Sequence, residues 1–550
     1  MHTAPAEARN GGFINDTAKE VVVMAVSTAA SMRDANRYRP PAITGLIDLM
    51  DQQVRDRPRA QALVATGDRV HLSYGALAAL VDEMAARLRS TGLSRGAAVG
   101  LVGANTAEFV VALLGAARAG LVVAPIDPAL PESQMSARLD ALGVQAILVG
   151  PPAVDAAPVA QVQVPTWTLR VDISRATATL ETSADAVRPV RGAASELSDD
   201  HALVLFTAGT TDRAKMVPLT HANVAASVQG ICATYELGSA DATVAVMPLF
   251  HGHGLFATLL ASLASGGCVL LPERGRFSAH TFWDDVRAVT ATWFTAVPTI
   301  YEILLDRSAL EYPGPQVAPL RFMRSCSAPL NTATGLALER TLGVPLLSAY
   351  GMTESTHQAT SEPLPQRGPL KHGSVGRATG VDLRVVDQTG RTCRAGTVGE
   401  VWVHGPTVAR GYLADPAETA HSFADGWFRT GDLGSLDEDG DLFLTGRIKS
   451  LINRGGEKIS PEHVEDILGG CPGVAEAAVF AIPDATYGER VGAAVVVREG
   501  ESIGSEQILR YSRDRLSAFE VPDRLEVVAA LPHTSKGGLD RRAVDARYAH

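Results

Sequence analysis

Cysteine is scarce in this 550-residue chain: Cys232, Cys268, Cys326, Cys393 and Cys471 lie far apart, with no C-x-x-C pair. That scarcity excludes a disulfide framework and a cysteine-based zinc site, suits a reducing compartment, and leaves most of the thiols as small buried hydrophobes. A surplus of positive charge is missing too. Lys and Arg number 49 against 60 Asp and Glu, a net charge of −11, which excludes the basic face of a nucleic-acid binder. No clean apolar run is long enough to span a membrane. The longest apolar region, 109–126, carries Arg118 and Pro125 and reads as a buried helix followed by a buried strand. The run 21–30 is short and sits behind acidic and polar residues, so no secretory leader is expected and the expected location is cytoplasmic. Repeats and low-complexity tracts are absent, and nothing in the pattern sets an oligomeric state.

What is present is an ordinary globular composition, 46% hydrophobic and 20% charged. The chain is too long for one core, so at least two domains are expected. Residues 1–41 show little periodicity beyond one short helical stretch at 21–32, and are expected to form a flexible extension. From Ile43 onward α and β signals alternate. Leu77, Leu80, Val81, Met84 and Leu88 recur at helical spacing after a capping Ser73, while 99–102 and 121–126 read as short buried strands. The alternation runs on through 244–247, 268–271 and 320–326, and predicts an α/β fold with largely parallel sheets. A hairpin turn at 437–441, followed by apolar elements at 474–482, 491–497, 506–516 and 525–528, predicts a small C-terminal α+β domain. The expected division is 42–447 and 448–550, with the boundary at 447–449.

One loop carries the most chemistry. Thr207-Ala208-Gly209-Thr210-Thr211-Asp212-Arg213-Ala214-Lys215 lies between a strand-like run (202–206) and a helix opening at 220–223. Thr207, Gly209, Thr210, Thr211 and Lys215 supply hydroxyls, free backbone N–H groups and a cation, which is what a polyphosphate requires. It is not the G-x-x-x-x-G-K-[ST] loop, because the second glycine and the Lys-Ser/Thr pair are absent. Gly, Thr and Asp are also ordinary turn residues, so the weight of the loop rests on residues further along the chain. Four ordered motifs lie downstream of it: Tyr350-Gly351-Met352-Thr353-Glu354, Gly426-Trp427-Phe428-Arg429-Thr430-Gly431-Asp432, Gly446-Arg447-Ile448-Lys449, and Asn453-Arg454-Gly455-Gly456-Glu457-Lys458-Ile459-Ser460-Pro461.

With the threonine loop, these motifs resemble the signatures of adenylate-forming enzymes, the acyl-CoA synthetase superfamily, and the likeness runs from Ile43 to Arg542. It is nearest to the oxalyl-CoA synthetase branch in Pro248-Leu249-Phe250-His251-Gly252-His253-Gly254, in 277–283 and 291–299, in Arg324-Ser325-Cys326-Ser327-Ala328, and in 353–358. The resemblance implies a large N-terminal domain of layered sheets and helices, a small mobile C-terminal domain, and an ATP-dependent acid–CoA ligase. In that chemistry a carboxylate attacks the α-phosphate of ATP, giving an acyl-adenylate and pyrophosphate, and the thiol of coenzyme A then displaces AMP. Charge neutralisation by Mg²⁺ and cationic side chains suits the first step.

The resemblance also implies roles. Thr207, Thr210, Thr211 and Lys215, with Gly209 in the same loop, face the β- and γ-phosphates. Thr353 meets the α-phosphate beside Tyr350 and Gly351, and Glu354 ligates Mg²⁺. Asp432 and Arg447 bind the ribose hydroxyls; the other reading of Asp432 is a turn-capping residue after Gly431. Lys449 is the hinge about which the small domain turns, and Gly455 and Gly456 face the pantetheine channel. His251, His253, Arg324, Ser325, Ser327 and His357 make a pocket too polar for a lipid tail. A short diacid keeps a second carboxylate after activation, and burying that group requires donors. Oxalate is the implied acid, with His251, Ser327 and His357 as contacts; medium-chain fatty or aromatic acids are the alternative.

The chain departs from the family pattern at two places. Ala208, Asp212, Ala214 and Met216 replace the usual serine, glycine, proline and glycine of the phosphate loop, and Asp212 places an anion beside pyrophosphate. Near the C-terminus, in Pro532-His533-Thr534-Ser535-Lys536-Gly537-Gly538, the position of the adenylation lysine falls on Gly538. Either this residue was substituted, or Lys536 serves instead, or adenylation is impaired. If the segment is extended, Lys536 shares the face of Gly538 but sits ~6.6 Å away.

Overall fold

The computed structural model describes residues 41–65, 69–151, 164–173, 175, 177–182, 193–207, 214–498, 500–534 and 538–550. The expected N-terminal extension with its helix at 21–32 lies outside the described residues, as do Gly209, Thr210, Thr211, Asp212 and Lys536.

Local signals set the helix starts. The Ser73 side chain accepts from the Ala76 N–H at the head of the helix Tyr74–Ser90, which buries Leu77, Leu80, Val81, Met84 and Leu88. Thr220 and Asn223 close a reciprocal capping box on the helix His221–Tyr235. The apolar region 109–126 divides as its Arg and Pro imply, into the buried helix Ala107–Ala119 and the buried strand Val122–Ile126.

Among the described residues there are five sheets. The largest orders its strands Thr177–Thr182, Thr166–Asp172, Ala146–Val149, Ala98–Val102, Val122–Ile126, His201–Phe206 and Met216–Thr220, parallel inside and antiparallel at both ends. A second, Trp293–Ala296, Phe322–Ser325 and Leu346–Tyr350, is parallel and then gains two short antiparallel strands. Downstream the expectation of largely parallel sheets fails. Asp382–Val386, Gly399–His404, Trp427–Leu436 and Leu442–Arg447 form an antiparallel meander, with the helix Pro416–Ser422 in the connection between the second and third strands. The turn at 437–441 is the expected hairpin, and Lys371 Nζ lies 2.6, 2.7 and 2.9 Å from Asp437, Asp439 and Asp441.

The last sheet pairs Glu457–Ile459, Ile452–Arg454, Gly488–Val497 and Val474–Asp484, with Arg524–Val528 alongside Gly488–Val497. Its own core of Ile452, Val464, Leu468, Val491, Val495 and Ile508 makes it a smaller C-terminal domain beside a large N-terminal one. The contacts between them are polar. Asn331 donates to the Asp466 carbonyl at 3.1 Å, and Arg498 lies 3.5 Å from Asp306.

Candidate active site

The strand Leu346–Tyr350 delivers one motif to the edge of the second sheet, where a 3₁₀ turn, Thr353–Ser355, presents Thr353 and Glu354. Gly351 is required there. A Cβ at this position would stand 1.6 Å from the His357 carbonyl oxygen, so only glycine lets the loop fold onto itself. Glu354 is buried, accepts from the Tyr412 hydroxyl at 2.8 Å, and its carboxyl is raised above the usual range by burial.

Asp432 lies within the strand Trp427–Leu436, opposite Arg447 in register, so it does not cap a turn. Its carboxylate accepts from the Tyr350 hydroxyl at 2.5 Å and meets Arg447 Nε at 2.7 Å. Burial raises its pKa, and the Arg447 charge opposes that rise. The ends of the threonine loop are adjacent, since the Thr207 N–H donates to the Lys215 carbonyl at 3.0 Å. Lys215 Nζ sits 2.5 Å from Glu418 and 4.6 Å from the centre of the Tyr412 ring. The Lys215–Glu418 pair and Glu354 thus flank one tyrosine.

A second cluster centres on Arg324, which is 0% exposed. Thr295 and Arg324 are partners in parallel register, which puts both on one face. Arg324 Nε donates to Tyr235 Oη at 2.7 Å; Nη1 donates to Thr295 Oγ1 at 3.0 Å and His253 Nε2 at 3.2 Å; Nη2 donates to Gln358 Oε1 at 3.0 Å and His357 Nε2 at 3.1 Å. The two imidazoles stack 5.2 Å apart, and His253 Nδ1 lies 3.0 Å from Ser327 Oγ. Burial, reinforced by the Arg324 charge, holds both histidines well below their usual pKa, so they are neutral.

The backbone here is unusual. His253 starts a π-helical turn, His253–Leu260, and Ser327, Thr356 and His357 all have left-handed φ, at 74°, 52° and 84°. Such conformations persist only where the surroundings over-determine them.

The expected residues therefore form two groups. Tyr350, Gly351, Thr353, Glu354, Asp432, Arg447 and Lys215 share one side, and Ser327 and His357 share the other with His253. His251 neighbours the same cluster: its Nδ1 accepts from the His253 N–H at 3.4 Å, and its charge bears on both buried histidines. Sequence reasoning ranked His251 above His253, yet His253 is the residue built into the Arg324 network. Tyr235 was missed, having no motif of its own, and Thr295 and Gln358 lay inside the segments 291–299 and 353–358 without being assigned a role. The C-terminal residues are exposed. Lys449 lies in the turn Ile448–Ser450, and Gly455 and Gly456 form a tight turn at φ 61° and 101°. Thr534 N–H donates to the Gly538 carbonyl at 2.8 Å and His533 bridges Leu539, while Lys536 between them lies outside the described residues.

Residues 50–413 match the AMP-binding enzyme family and 463–537 match the AMP-binding enzyme C-terminal domain. The chain belongs to the AMP-binding enzyme family. It is an AMP-forming acid–CoA ligase, a class that uses a carboxylic acid, ATP and coenzyme A. It is 42% identical to an oxalate–CoA ligase of Arabidopsis thaliana, covering 91% of this chain and 98% of that one. It is 41% identical to a probable CoA ligase of Humulus lupulus, covering 91% and 95%. The ATP-bound crystal structure of MatB from Rhodopseudomonas palustris superposes with a TM-score of 0.81 at 30% identity, over 92% of this chain and 99% of that one. No described helix is long and apolar enough to cross a membrane.

Proposed function

We propose that this ligase activates a short dicarboxylic acid, oxalate, and transfers the oxalyl group to coenzyme A. The carrying observation is the donor-rich cluster in which buried His253, Arg324 and His357 stand behind an exposed Ser327, with no carboxylate among their hydrogen-bond partners. A fatty or aromatic tail would leave that polarity unanswered, and burying a polar group without a partner costs free energy. Relatives named oxalate–CoA ligase at 41–42% identity, and a sulfoacetate–CoA ligase of Cupriavidus necator at 33%, support an acid with two anionic ends.

On this reading one carboxylate oxygen attacks the α-phosphorus, the bond to the β-phosphate breaks, and pyrophosphate leaves. The thiol sulfur then attacks the acyl carbon, AMP departs, and the thiol proton passes to solvent. Thr207, Gly209, Thr210, Thr211 and Lys215 hold the β- and γ-phosphates; Tyr350, Gly351 and Thr353 frame the α-phosphate; Asp432 and Arg447 take the ribose. His251, Ser327 and His357 hold the acid. Lys449 is the hinge between domains 42–447 and 448–550, and Gly455 and Gly456 meet the pantetheine arm.

Glu354 fits a Mg²⁺ ion. It is a buried carboxylate with one oxygen engaged by Tyr412, and Mg²⁺ takes one or two carboxylates plus substrate phosphates and water. Mg²⁺ there would supply charge neutralisation at the polyphosphate, while Tyr412 fixes the Glu354 rotamer. A reducing, cytoplasmic setting accords with five cysteines that form no disulfide.

Gly538 favours a second reading, an enzyme slow in adenylation but competent in thiol transfer. AMP release dependent on coenzyme A, measured across acids from oxalate to dodecanoate, tests the main one. Oxalate should lead the series; a preference for long-chain monoacids that ignores oxalate overturns the assignment.

A further inference from the structure

Arg324 poses a physical problem. A guanidinium excluded from water is costly unless an anion accompanies it, yet its five N–H groups reach Tyr235, Thr295, His253, Gln358 and His357, all neutral acceptors. The Cys326 thiol also hydrogen-bonds to it, but among the described residues no carboxylate pairs with it. Its hydrogen bonds are complete, and no carboxylate balances its charge.

The geometry also fixes protons. Arginine offers only donors, so the Nε2 atoms facing Arg324 are acceptors, and each neutral ring carries its proton on Nδ1. His253 Nδ1–H donates to Ser327 Oγ at 3.0 Å, which leaves the Ser327 hydroxyl proton free to donate onward. His357 Nδ1–H has no protein partner among the described residues. Ser327 is exposed and left-handed in φ, and His357 shares that strained backbone.

We infer that Arg324 is the specificity-determining charge of the acid pocket, a positioning residue that does not touch the acid. It holds His253 and His357 as Nδ1–H donors and keeps a buried positive charge that only an acid with a second anionic group neutralises. The inference rests on the assignment of this cluster as the acid pocket. It explains how a pocket of neutral donors can discriminate between a diacid and a monoacid: the donors supply the geometry and the guanidinium behind them supplies the sign. A pocket whose donors contacted the acid with no charge behind them would hold a hydroxy acid nearly as well.

Arg324→Met removes the charge, but it strips five buried acceptors of their donor and threatens folding. Gln358→Glu is the decisive variant. It is isosteric, keeps the oxygen that accepts from Arg324 Nη2, and places a permanent counter-charge on the guanidinium. The measurement is kcat/KM for oxalate and for acetate, with unfolding temperature and AMP affinity as controls. If Arg324 acts through its charge, the oxalate-to-acetate ratio falls roughly 10²-fold, the scale of like-charge juxtaposition in a desolvated site, while the unfolding temperature holds or rises. If Arg324 is only structural, the new ion pair stabilises the fold and leaves the ratio unmoved, which overturns the inference. A wild type that ignores oxalate but prefers malonate or sulfoacetate over acetate sinks the oxalate assignment and leaves Arg324 in its role. A wild type that prefers acetate to every such acid sinks both.

Discussion

On the side proposed to hold the nucleotide the charges arrive already married: Asp432 holds Arg447 at 2.7 Å, and Lys215 holds Glu418 at 2.5 Å. In the proposed acid pocket Arg324 is buried with no carboxylate beside it, and the two histidines it contacts are held uncharged. The difference bears on how each substrate gains its affinity. ATP must exchange partners with groups already satisfied, so its net gain depends on geometry. On the proposed assignment, an incoming diacid brings the first carboxylate that this pocket meets, and in a low-dielectric site that is worth more than the same contact in water.

Four measurements would break or sharpen this contrast. The largest effect is expected from adding a cation to the phosphate side. Among the described residues a Cβ at Gly538 would meet only Thr534 Oγ1, at 4.0 Å. Gly538→Lys should raise the adenylation rate by ~10²–10³, the value of one preorganised donor, and leave thiol attack on a preformed acyl-adenylate unchanged, as read by pyrophosphate release and thioester formation. Lys536→Ala should change little. Rapid adenylation by the unaltered chain that Lys536→Ala abolishes would instead make Lys536 the working lysine.

Asp432→Ala comes next. It should weaken ATP and AMP together by ~1.5–3 kcal/mol, the range for hydrogen bonds to a charged group, because both nucleotides carry the same ribose. Calorimetry that finds both affinities intact returns Asp432 to a purely structural pairing with Tyr350 and Arg447. His357→Ala should raise KM for the diacid by ~1–3 kcal/mol with ATP affinity untouched, which separates the two regions kinetically. If ATP affinity falls equally, the contrast is lost.

The smallest effect concerns Glu302, on the helix Pro298–Glu311, which faces Glu476, Arg498 and His533 of the C-terminal domain and Asp306 of its own helix. Burial first, and Glu476 second, push its carboxyl up to about 7. Its folded pKa lies above the ordinary 4.5, so the native state holds this proton more tightly than the unfolded chain does. The resulting stability is fully present below about 4.5 and is lost as pH rises through about 7. Glu302→Gln should therefore raise the unfolding temperature at pH 8, by an amount equivalent to ~1–2 kcal/mol, and not at pH 5. A gain of equal size at both pH values would assign it to something other than the proton.

What was legible in the sequence was local or motif-borne. Ser73 and Thr220 announced their helices because a cap acts within four residues. Tyr350 to Glu354 and Gly426 to Asp432 announced the nucleotide side because each motif sits on one strand and its turn. The Arg324 network was only half visible. Its acceptors come from residues 235, 253, 295, 357 and 358, and only the fold brings those segments together. Tyr235 ends a helix outside every motif, and Thr295 sits mid-strand in a segment that carried the resemblance without showing which residue would face Arg324. The antiparallel meander from Asp382 to Arg447 escaped the α/β expectation because its strands are half exposed and pair antiparallel, even where the helix Pro416–Ser422 lies between two of them.

Gly351 has a bearing on efforts to change the substrate of this enzyme. Its α-carbon packs against the carbonyl of His357 with no room for a methyl group, so the loop that carries Thr353 and Glu354 and the residue that carries an acid-pocket imidazole are parts of one mechanical joint. A saturation library spread over 251, 327 and 357 can explore new acids, but at 351 every member except the parent should be lost for all acids and for the nucleotide at once. A deep mutational scan would show this position as a column of uniform intolerance beside tunable neighbours.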